Sequence, residues 1–570
     1  MEHTHEKPGL ITGAIIGGLL AAPLIALSYL GNFVADLPSI ADDFFAWVRD
    51  LLPGDVITAG IDAMVESLMT LGVENVDTAS KTIEQIFAGL MVFGVLVLFG
   101  ALLFTILREQ QRSGVVIAGS VAGLLLGAAM VFISESKMTI TNLIDPEQYT
   151  IIDMLWIGGL FTIWGLACSF IYNDLTALPT PQEKQQSAAA TGGATAQQLD
   201  RRQFIVRVGG AAATLTVIGA GLNLLANGDE ETSTQVTSLS DNNNTSPVAE
   251  ATPEATPNAE ATAEPARATA SLEPAPGTRL EITPLDEHYR IDISTRPPDI
   301  SAAEWALLVN GLVTSETVMT LDNLRNDYEP VDQWITLSCI SNRLGGDLIS
   351  TTRWTGVPLR TLIEEWNPDP EATYMRITSA DGFDEYLDIS LAMEDERVML
   401  CYAWDGQPLK AKHGFPLRVY IPERYGMKQP KWIIGIEFVS EWDEGYWVRR
   451  GWSEEAIVRT VSVVDTVAAN DVFDEDGQMF VPVGGIAYAS SRGISKVEVS
   501  VDDGEWVEAQ LLEPLSEKAW VLWRYDWPFE AGRHEFRVRT YDGNGNMQTL
   551  DNNPVRPHGA TGIHSETATV

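Results

Sequence analysis

Hydrophobic and polar positions alternate on two different scales along this chain. Over the first 230 residues, long uncharged apolar runs are separated by short polar breaks. Five runs, 9–35, 85–107, 114–134, 154–173 and 208–228, contain no Asp, Glu, Lys, Arg or His. Each approaches or exceeds the roughly 20 apolar residues that a bilayer-crossing helix needs. Pro23 is expected to kink the first. The stretch 51–72 is apolar too but carries Asp55, Asp62 and Glu66, which predicts an amphipathic surface helix and not a span. From Arg279 onward the runs shorten to strand length, as in Trp334-Ile335-Thr336-Leu337-Ser338-Cys339 and Leu417-Arg418-Val419-Tyr420-Ile421. Few segments have helical periodicity; 359–366 is one short-helix candidate, and the reading is mostly β with short helices.

A third pattern begins after Val461. Apolar and polar residues alternate through 494–501 and 534–542, punctuated by Asp503-Gly504 and Asp542-Gly543 turns. This predicts an all-β immunoglobulin-like sandwich that lacks the Cys-Trp-Cys spacing and its disulfide. Residues 229–278 are rich in Ala, Thr, Glu, Pro, Ser and Asn, with little to bury, and predict a disordered tether. Four units result: a five-span α-helical membrane anchor (1–228), the tether (229–278), a mixed α+β domain (279–460) and the sandwich with its tail (461–570).

Composition then removes some functions. Lys and Arg total 37 against 78 Asp and Glu, a formal net charge of -41. Such a surface repels phosphate backbones, so nucleic acid is not an expected partner. Three cysteines exclude a disulfide scaffold and any four-thiolate metal site within the chain. All seven histidines lie outside the apolar runs, which argues against a membrane haem held by paired imidazoles. The basic residues Lys7, Arg108, Arg112, Lys184, Arg201, Arg202 and Arg207 fall in alternate loops. The positive-inside rule therefore places the N-terminus in the cytoplasm and, after five spans, the C-terminal half outside it. The segment Asp200-Arg201-Arg202-Gln203-Phe204-Ile205-Val206 resembles a twin-arginine export signal, although two topology-setting arginines would look the same.

Cys339 stands at a strand end, entering the loop Ile340-Ser341-Asn342-Arg343-Leu344-Gly345-Gly346. A thiolate there suits a soft metal or nucleophilic attack. A buried free thiol and a disulfide to Cys401 are the alternatives.

Three stretches bear a resemblance to the sulfite oxidase family of molybdenum enzymes. They are Cys339-Ile340-Ser341-Asn342-Arg343 with Arg353-Trp354-Thr355-Gly356; Asp405-Gly406-Gln407-Pro408 with His413-Gly414-Phe415-Pro416-Leu417-Arg418; and Tyr425-Gly426-Met427-Lys428-Gln429-Pro430-Lys431-Trp432. The resemblance implies a sulfite-oxidase-type molybdopterin domain with a molybdenum–molybdopterin cofactor, and Cys339 as the one protein thiolate on the metal. It implies that His413, Arg418 and Lys431 hold the pterin and its phosphate, with Ser379, Tyr289 and Arg290 as further cofactor contacts. The bland readings are a satisfied histidine and solvated charges. Arg290 is also a candidate for an anionic substrate, and Trp452 falls where the family has a pocket tyrosine. The sandwich matches the family's dimerisation domain, which implies a homodimer.

Two departures bear on the substrate. Leu344 follows Arg343 where sulfite oxidases have a second arginine, and Trp452 replaces a phenol. Both weaken the case for sulfite, a dianion wanting several donors, and suit an organic sulfoxide or thioether. The leading expectation is a membrane-anchored, extracytoplasmic oxidoreductase acting on a small molecule, with electrons exchanged with another protein or a small carrier. The rival is a tethered β-rich interaction module that keeps the fold without molybdenum.

Replacing Arg201 and Arg202 by Lys tests the export signal. The region beyond Arg279 should then stay in the cytoplasm, shielded from protease added outside. Digestion equal to wild type would show that the arginines only set topology.

Overall fold

The computed structural model describes residues 7–35, 37–71, 76–138, 151–177, 206–210, 212–214, 216 and 272–570. Most of the fifth predicted span, the Arg201–Arg202 pair and the tether up to residue 271 lie outside the described residues. Of the described residues, four helices are long and apolar enough to cross a membrane. They lie within α1 (Leu10–Ala35), α4 (Val76–Leu107), α5 (Arg112–Met138) and α6 (Ile151–Ala177). Between α1 and α4 stand α2 (Ile40–Leu51) and α3 (Gly54–Thr70). The second of these matches the predicted amphipathic helix. The first was not foreseen; Asp42 and Asp43 favour its start by complementing the helix dipole.

Small residues let these helices approach closely, as membrane-type packing requires. A Cβ on Gly17 of α1 would meet the Leu96 carbonyl of α4 at 2.5 Å, and one on Gly100 would meet the Gly13 carbonyl at 2.5 Å. The two ends of the bundle differ. At one, Lys7 Nζ donates to the Arg108 carbonyl at 2.6 Å. At the other, the β-rich half is attached. Arg296 donates to Asn32 Oδ1 at 3.0 Å, pairs with Asp42 at 3.3 Å and lies 4.6 Å above the Tyr29 ring.

The first β-rich unit contains β1 (Ala306–Gly311), β2 (Thr317–Thr320), β3 (Val331–Ser338), β4 (Ile349–Pro358), β5 (Tyr374–Ser379), β6 (Asp384–Asp388), β7 (Met399–Trp404), β8 (Gln407–Pro408), β9 (Arg418–Tyr420) and β10 (Ile433–Val439). One sheet has the order β2-β1-β10-β5-β6, with β1 and β10 parallel. The other runs β3-β4-β7-β8, with β9 also on β7. Helices α7 (Leu321–Asn326), α8 (Leu359–Trp366) and α9 (Ile389–Glu394) complete it. The α8 sequence buries Leu359, Leu362, Ile363 and Trp366, the spacing of one helical face, and ends at left-handed Asn367. That face joins Trp305, Leu307, Ile436 and Phe438 in the main core.

The C-terminal unit contains β11 (Val461–Val467), β12 (Phe473–Glu475), β13 (Gln478–Tyr488), β14 (Ile494–Val501), β15 (Val507–Glu508), β16 (Gln510–Leu511), β17 (Val521–Pro528), β18 (Arg533–Asp542) and β19 (His564–Thr569). Two antiparallel sheets, β11-β13-β17-β16 and β15-β14-β18-β19, share a core of Val481, Val483 and Trp523 against Val497, Phe536 and Val538. The predicted tether ends earlier than residue 278. Ala275 is buried, Thr466 Oγ1 donates to the Pro276 carbonyl at 2.9 Å, and Arg524 donates to the Glu273 carbonyl at 2.9 Å. Leu272 and Ala275 give this stretch apolar surface to bury against the strands.

The sandwich also grips the strand that leads to Cys339. Tyr488 Oη donates to the Thr336 carbonyl at 2.6 Å, Ser516 Oγ to the Trp334 carbonyl at 2.6 Å, and the Trp520 amide to Thr336 Oγ1 at 2.8 Å. Trp523→Ala should remove about 3–5 kcal/mol from the C-terminal unit, because truncating a fully buried indole leaves a cavity. Urea unfolding of the full chain checks this. An unshifted midpoint would mean that the inter-sheet core does not hold the sandwich together.

Candidate active site

Cys339 follows β3 directly. Its amide donates to the Leu348 carbonyl at 2.9 Å, and its own carbonyl accepts from the Asn342 amide at 3.1 Å. Asn342 Oδ1 accepts from the Leu348 amide at 3.0 Å, closing the loop with a side chain. The thiol is buried, lies 2.9 Å from Ser341 Oγ, and is not in a disulfide. Cys401 is likewise unbonded, on β7, so the disulfide alternative is not realised. Burial pushes the Cys339 thiol up, against the opposing pull of its hydrogen bonds around Ser341.

His413 closes a single tight turn before Gly414, whose φ of +109° favours glycine. A side chain there would also press on Lys431 and Arg418, with Cβ contacts of 3.1 and 3.3 Å. This turn brings three of the predicted residues together. Arg418 donates to the His413 carbonyl at 3.1 Å and lies 4.8 Å from the Trp354 ring. The His413 ring is 4.7 Å from Trp404 and 5.3 Å from His288. Burial, then the nearby Arg418, brings His288 down to about 3. Burial, then His288 and the surrounding cations, holds His413 well below the usual histidine range. Both imidazoles are therefore neutral at physiological pH. Their Nε2 atoms are buried with no hydrogen-bond partner among the described residues.

Asp292 is the electrostatic hub beside this cluster. Lys431 Nζ donates to its carboxylate at 2.9 Å, Arg290 Nε donates at 2.8 Å, and Lys81 Nζ lies at 3.5 Å. Lys81 comes from α4, and it also donates to the Asp292 carbonyl at 2.9 Å and to Glu84 at 3.0 Å. Burial alone would raise the Asp292 carboxyl, but the three cations overcome this and hold it well below the usual range. Lys431 is brought down to about 8 by burial, despite Asp292. Asp381 is pushed up to about 6 by burial and by Asp292.

These groups line one cavity of about 220 Å³ that contains Cys339, Tyr289, Arg290, Arg418, Lys431 and Trp452, along with His288 and His413. Ser379 is different. It is buried at the end of β5, its Oγ has no partner among the described residues, and it does not line the cavity. Leu344 is also outside the lining, whereas Arg343 is part of it. Sequence reasoning missed His288, Asp292, Asp381 and Lys81. Only His288 had a local cue, its place beside Tyr289 and Arg290. No cluster of three or more His, Cys, Asp or Glu side chains among the described residues is arranged to hold a metal alone. The donor set instead combines a buried thiol, two neutral imidazoles with partnerless nitrogens, and cations. It fits a soft metal carried by an anionic organic cofactor.

Residues 294–447 match the family model of the oxidoreductase molybdopterin binding domain. Sulfite oxidase of Homo sapiens mitochondria is 26% identical over 297 residues, 44% of this chain and 54% of that protein. The putative protein-methionine-sulfoxide reductase subunit YedZ1 of Azospira oryzae is 31% identical over 155 residues, 27% of this chain and 56% of that protein. Inducible nitrate reductase [NADH] 2 of Glycine max is 26% identical over 328 residues, 47% of this chain and 37% of that protein. The chain thus spans about half or less of the length of these relatives. Fold and site define a molybdopterin-binding oxidoreductase domain. That domain is of the sulfite oxidase type, and its cofactor is molybdenum–molybdopterin.

Asp292→Asn tests the hub. Because the native carboxyl titrates lower than the unfolded one, its stabilisation is present above about pH 4 and is lost as pH falls through the native value. The variant should be less stable by roughly 3–5 kcal/mol at pH 7, as for any broken buried ion cluster. The deficit should shrink between pH 4 and pH 2. Urea unfolding across that range measures it, and a pH-independent deficit would assign the loss to packing.

Proposed function

We propose that this protein is a membrane-anchored, extracytoplasmic oxidoreductase that exchanges an oxygen atom with a small organic sulfoxide or thioether. In the reducing direction a sulfoxide, two electrons and two protons give a thioether and water. The electrons come from another protein or a small carrier. When bound, the cofactor supplies the two-electron redox change and the oxygen-atom exchange. Cys339 is its protein ligand to molybdenum, a soft thiolate suited to a metal that changes oxidation state. Arg418 and Lys431 suit the anionic phosphate, and the neutral imidazoles of His288 and His413 offer hydrogen bonds to the pterin. Tyr289, Arg290 and Ser379 complete the proposed cofactor contacts.

The observation that carries the choice of substrate is the composition of the cavity wall. Phe383, Met427, Trp447 and Trp452 share it with the thiol, and Trp452 Nε1 is buried without a partner among the described residues. Arg290 and Lys431 are already engaged by Asp292. An apolar wall with one indole donor suits a neutral S=O group better than a dianion. Asp381, at about 6, can hold a proton in the same cavity near neutral pH. The name of the Azospira oryzae relative, a putative methionine-sulfoxide reductase subunit, supports the same substrate class.

Two facts support the placement. The apolar helices suit an anchor, and the Lys7–Arg108 end of the bundle lies opposite the end that meets the β-rich half. With the basic end in the cytoplasm, the site faces outward. We read the sandwich as an immunoglobulin-like unit through which the protein dimerises.

Steady-state assays of the loaded full-length protein test this function. Sulfoxide reduction with an artificial donor should exceed sulfite oxidation with an artificial acceptor. Cys339→Ser should abolish turnover with the fold retained. Trp452→Tyr should raise kcat/KM for sulfite by roughly tenfold, about one charge-assisted contact. Efficient wild-type sulfite turnover, unimproved in that variant, would overturn the substrate assignment.

A further inference from the structure

The cavity wall is not built by the catalytic domain alone. Ile61 and Met64 of α3, together with Ser80, Lys81 and Glu84 of α4, line the cavity that holds Cys339. Their position is fixed by specific contacts. Gly54, the first residue of α3, lies against Arg450, where an added Cβ would come within 2.7 Å of the Arg450 Cα. Arg450 in turn reaches Asp50 at 3.8 Å, and Arg49 donates to the Ile293 carbonyl. Arg450 belongs to the short turn Val448–Arg450, flanked by Trp447 and Trp452, whose rings meet edge-on at 6.5 Å. The helix carrying Ile61 and Met64 is therefore seated on the turn that presents two wall tryptophans. Lys81 fixes the neighbouring helix through Asp292.

We propose that α3 of the anchor completes the substrate pocket, and that Ile61 and Met64, which share its lining with Trp447 and Trp452, form an apolar subsite for the organic substituent of the substrate. This rests on the sulfoxide–thioether reading above, and it names residues outside the matched family domain as specificity determinants. A substituent lodged there leaves the sulfur toward the part of the cavity lined by Cys339. Its apolar surface is removed from water by a helix that the catalytic domain does not supply. Lys81 pairs with Glu84 as well as with Asp292, so the charges that α4 adds to this lining arrive with partners.

The test compares methyl phenyl sulfoxide with dimethyl sulfoxide on the full-length protein in detergent. Binding is measured by calorimetry and turnover by steady-state assay. Wild type should prefer the phenyl compound in both. Ile61→Ser combined with Met64→Ser should reduce that preference by roughly tenfold or more, the scale on which apolar pockets discriminate. Ile61→Leu combined with Met64→Leu should restore it, since apolar volume returns. An unchanged phenyl preference in the serine variant, or none in wild type, overturns the subsite. If the serine variant loses preferential binding but wild type turns over neither compound, the subsite stands and the proposed reaction fails. If wild type reduces both sulfoxides and the serine variant keeps its preference, the reaction stands and the subsite fails.

Discussion

One buried carboxylate sets the terms for much of this site. Asp292 is almost fully enclosed and gathers Lys431, Arg290 and Lys81, which come from three separate parts of the chain. Three cations this close would repel one another without it, and an isolated buried carboxylate would not stay ionised. Each partner therefore makes the others tolerable. The arrangement positions Lys431 for the cofactor, ties the Tyr289–Arg290 segment to the cavity, and fastens α4 over it.

Beside that charged hub the site is built from groups kept neutral. His288 meets Trp354 edge-on, both His288 and His413 lie tilted against Trp404, and the two imidazoles are deprived of the solvent that would stabilise an imidazolium. Arg418 stays among them by facing an indole ring and bonding a backbone carbonyl. The lining of the cavity thus combines charged groups, Lys431, Arg290 and Asp292, with the thiol and with the apolar surfaces of Phe383, Met427, Trp447 and Trp452.

What could be read from the sequence follows from how local each signal is. The α8 helix is written in four residues within eight positions, and its predicted and observed limits coincide. Cys339, His413, Arg418 and Lys431 were legible because short motifs surround each of them, and the cavity brings all four together. Asp292 was not legible. It sits alone between Ile291 and Ile293 in an irregular stretch, and its bonded lysines are 139 and 211 residues away. The start of α4 was missed for a related reason. Lys81 and Glu84 ended the uncharged run, so the predicted span began at residue 85 while the helix begins at Val76. The same charges that stopped the hydropathy reading are those that reach the catalytic domain. Ser379 had no motif around it: an alignment alone suggested it, and it is buried at the end of β5 outside the cavity lining.

The 32 residues of α4 form one continuous helix of about 48 Å, against a hydrocarbon layer of about 30 Å. The excess is a rigid post bearing Lys81, and a post transmits rotation. Lys81 lies roughly 16 Å from the middle of the helix, so a ten-degree change of tilt would carry it about 3 Å. That is the length of the hydrogen bond by which it holds Asp292. A change in bilayer thickness, to which a long helix can respond by tilting, would thereby act mechanically on the electrostatics of the cavity.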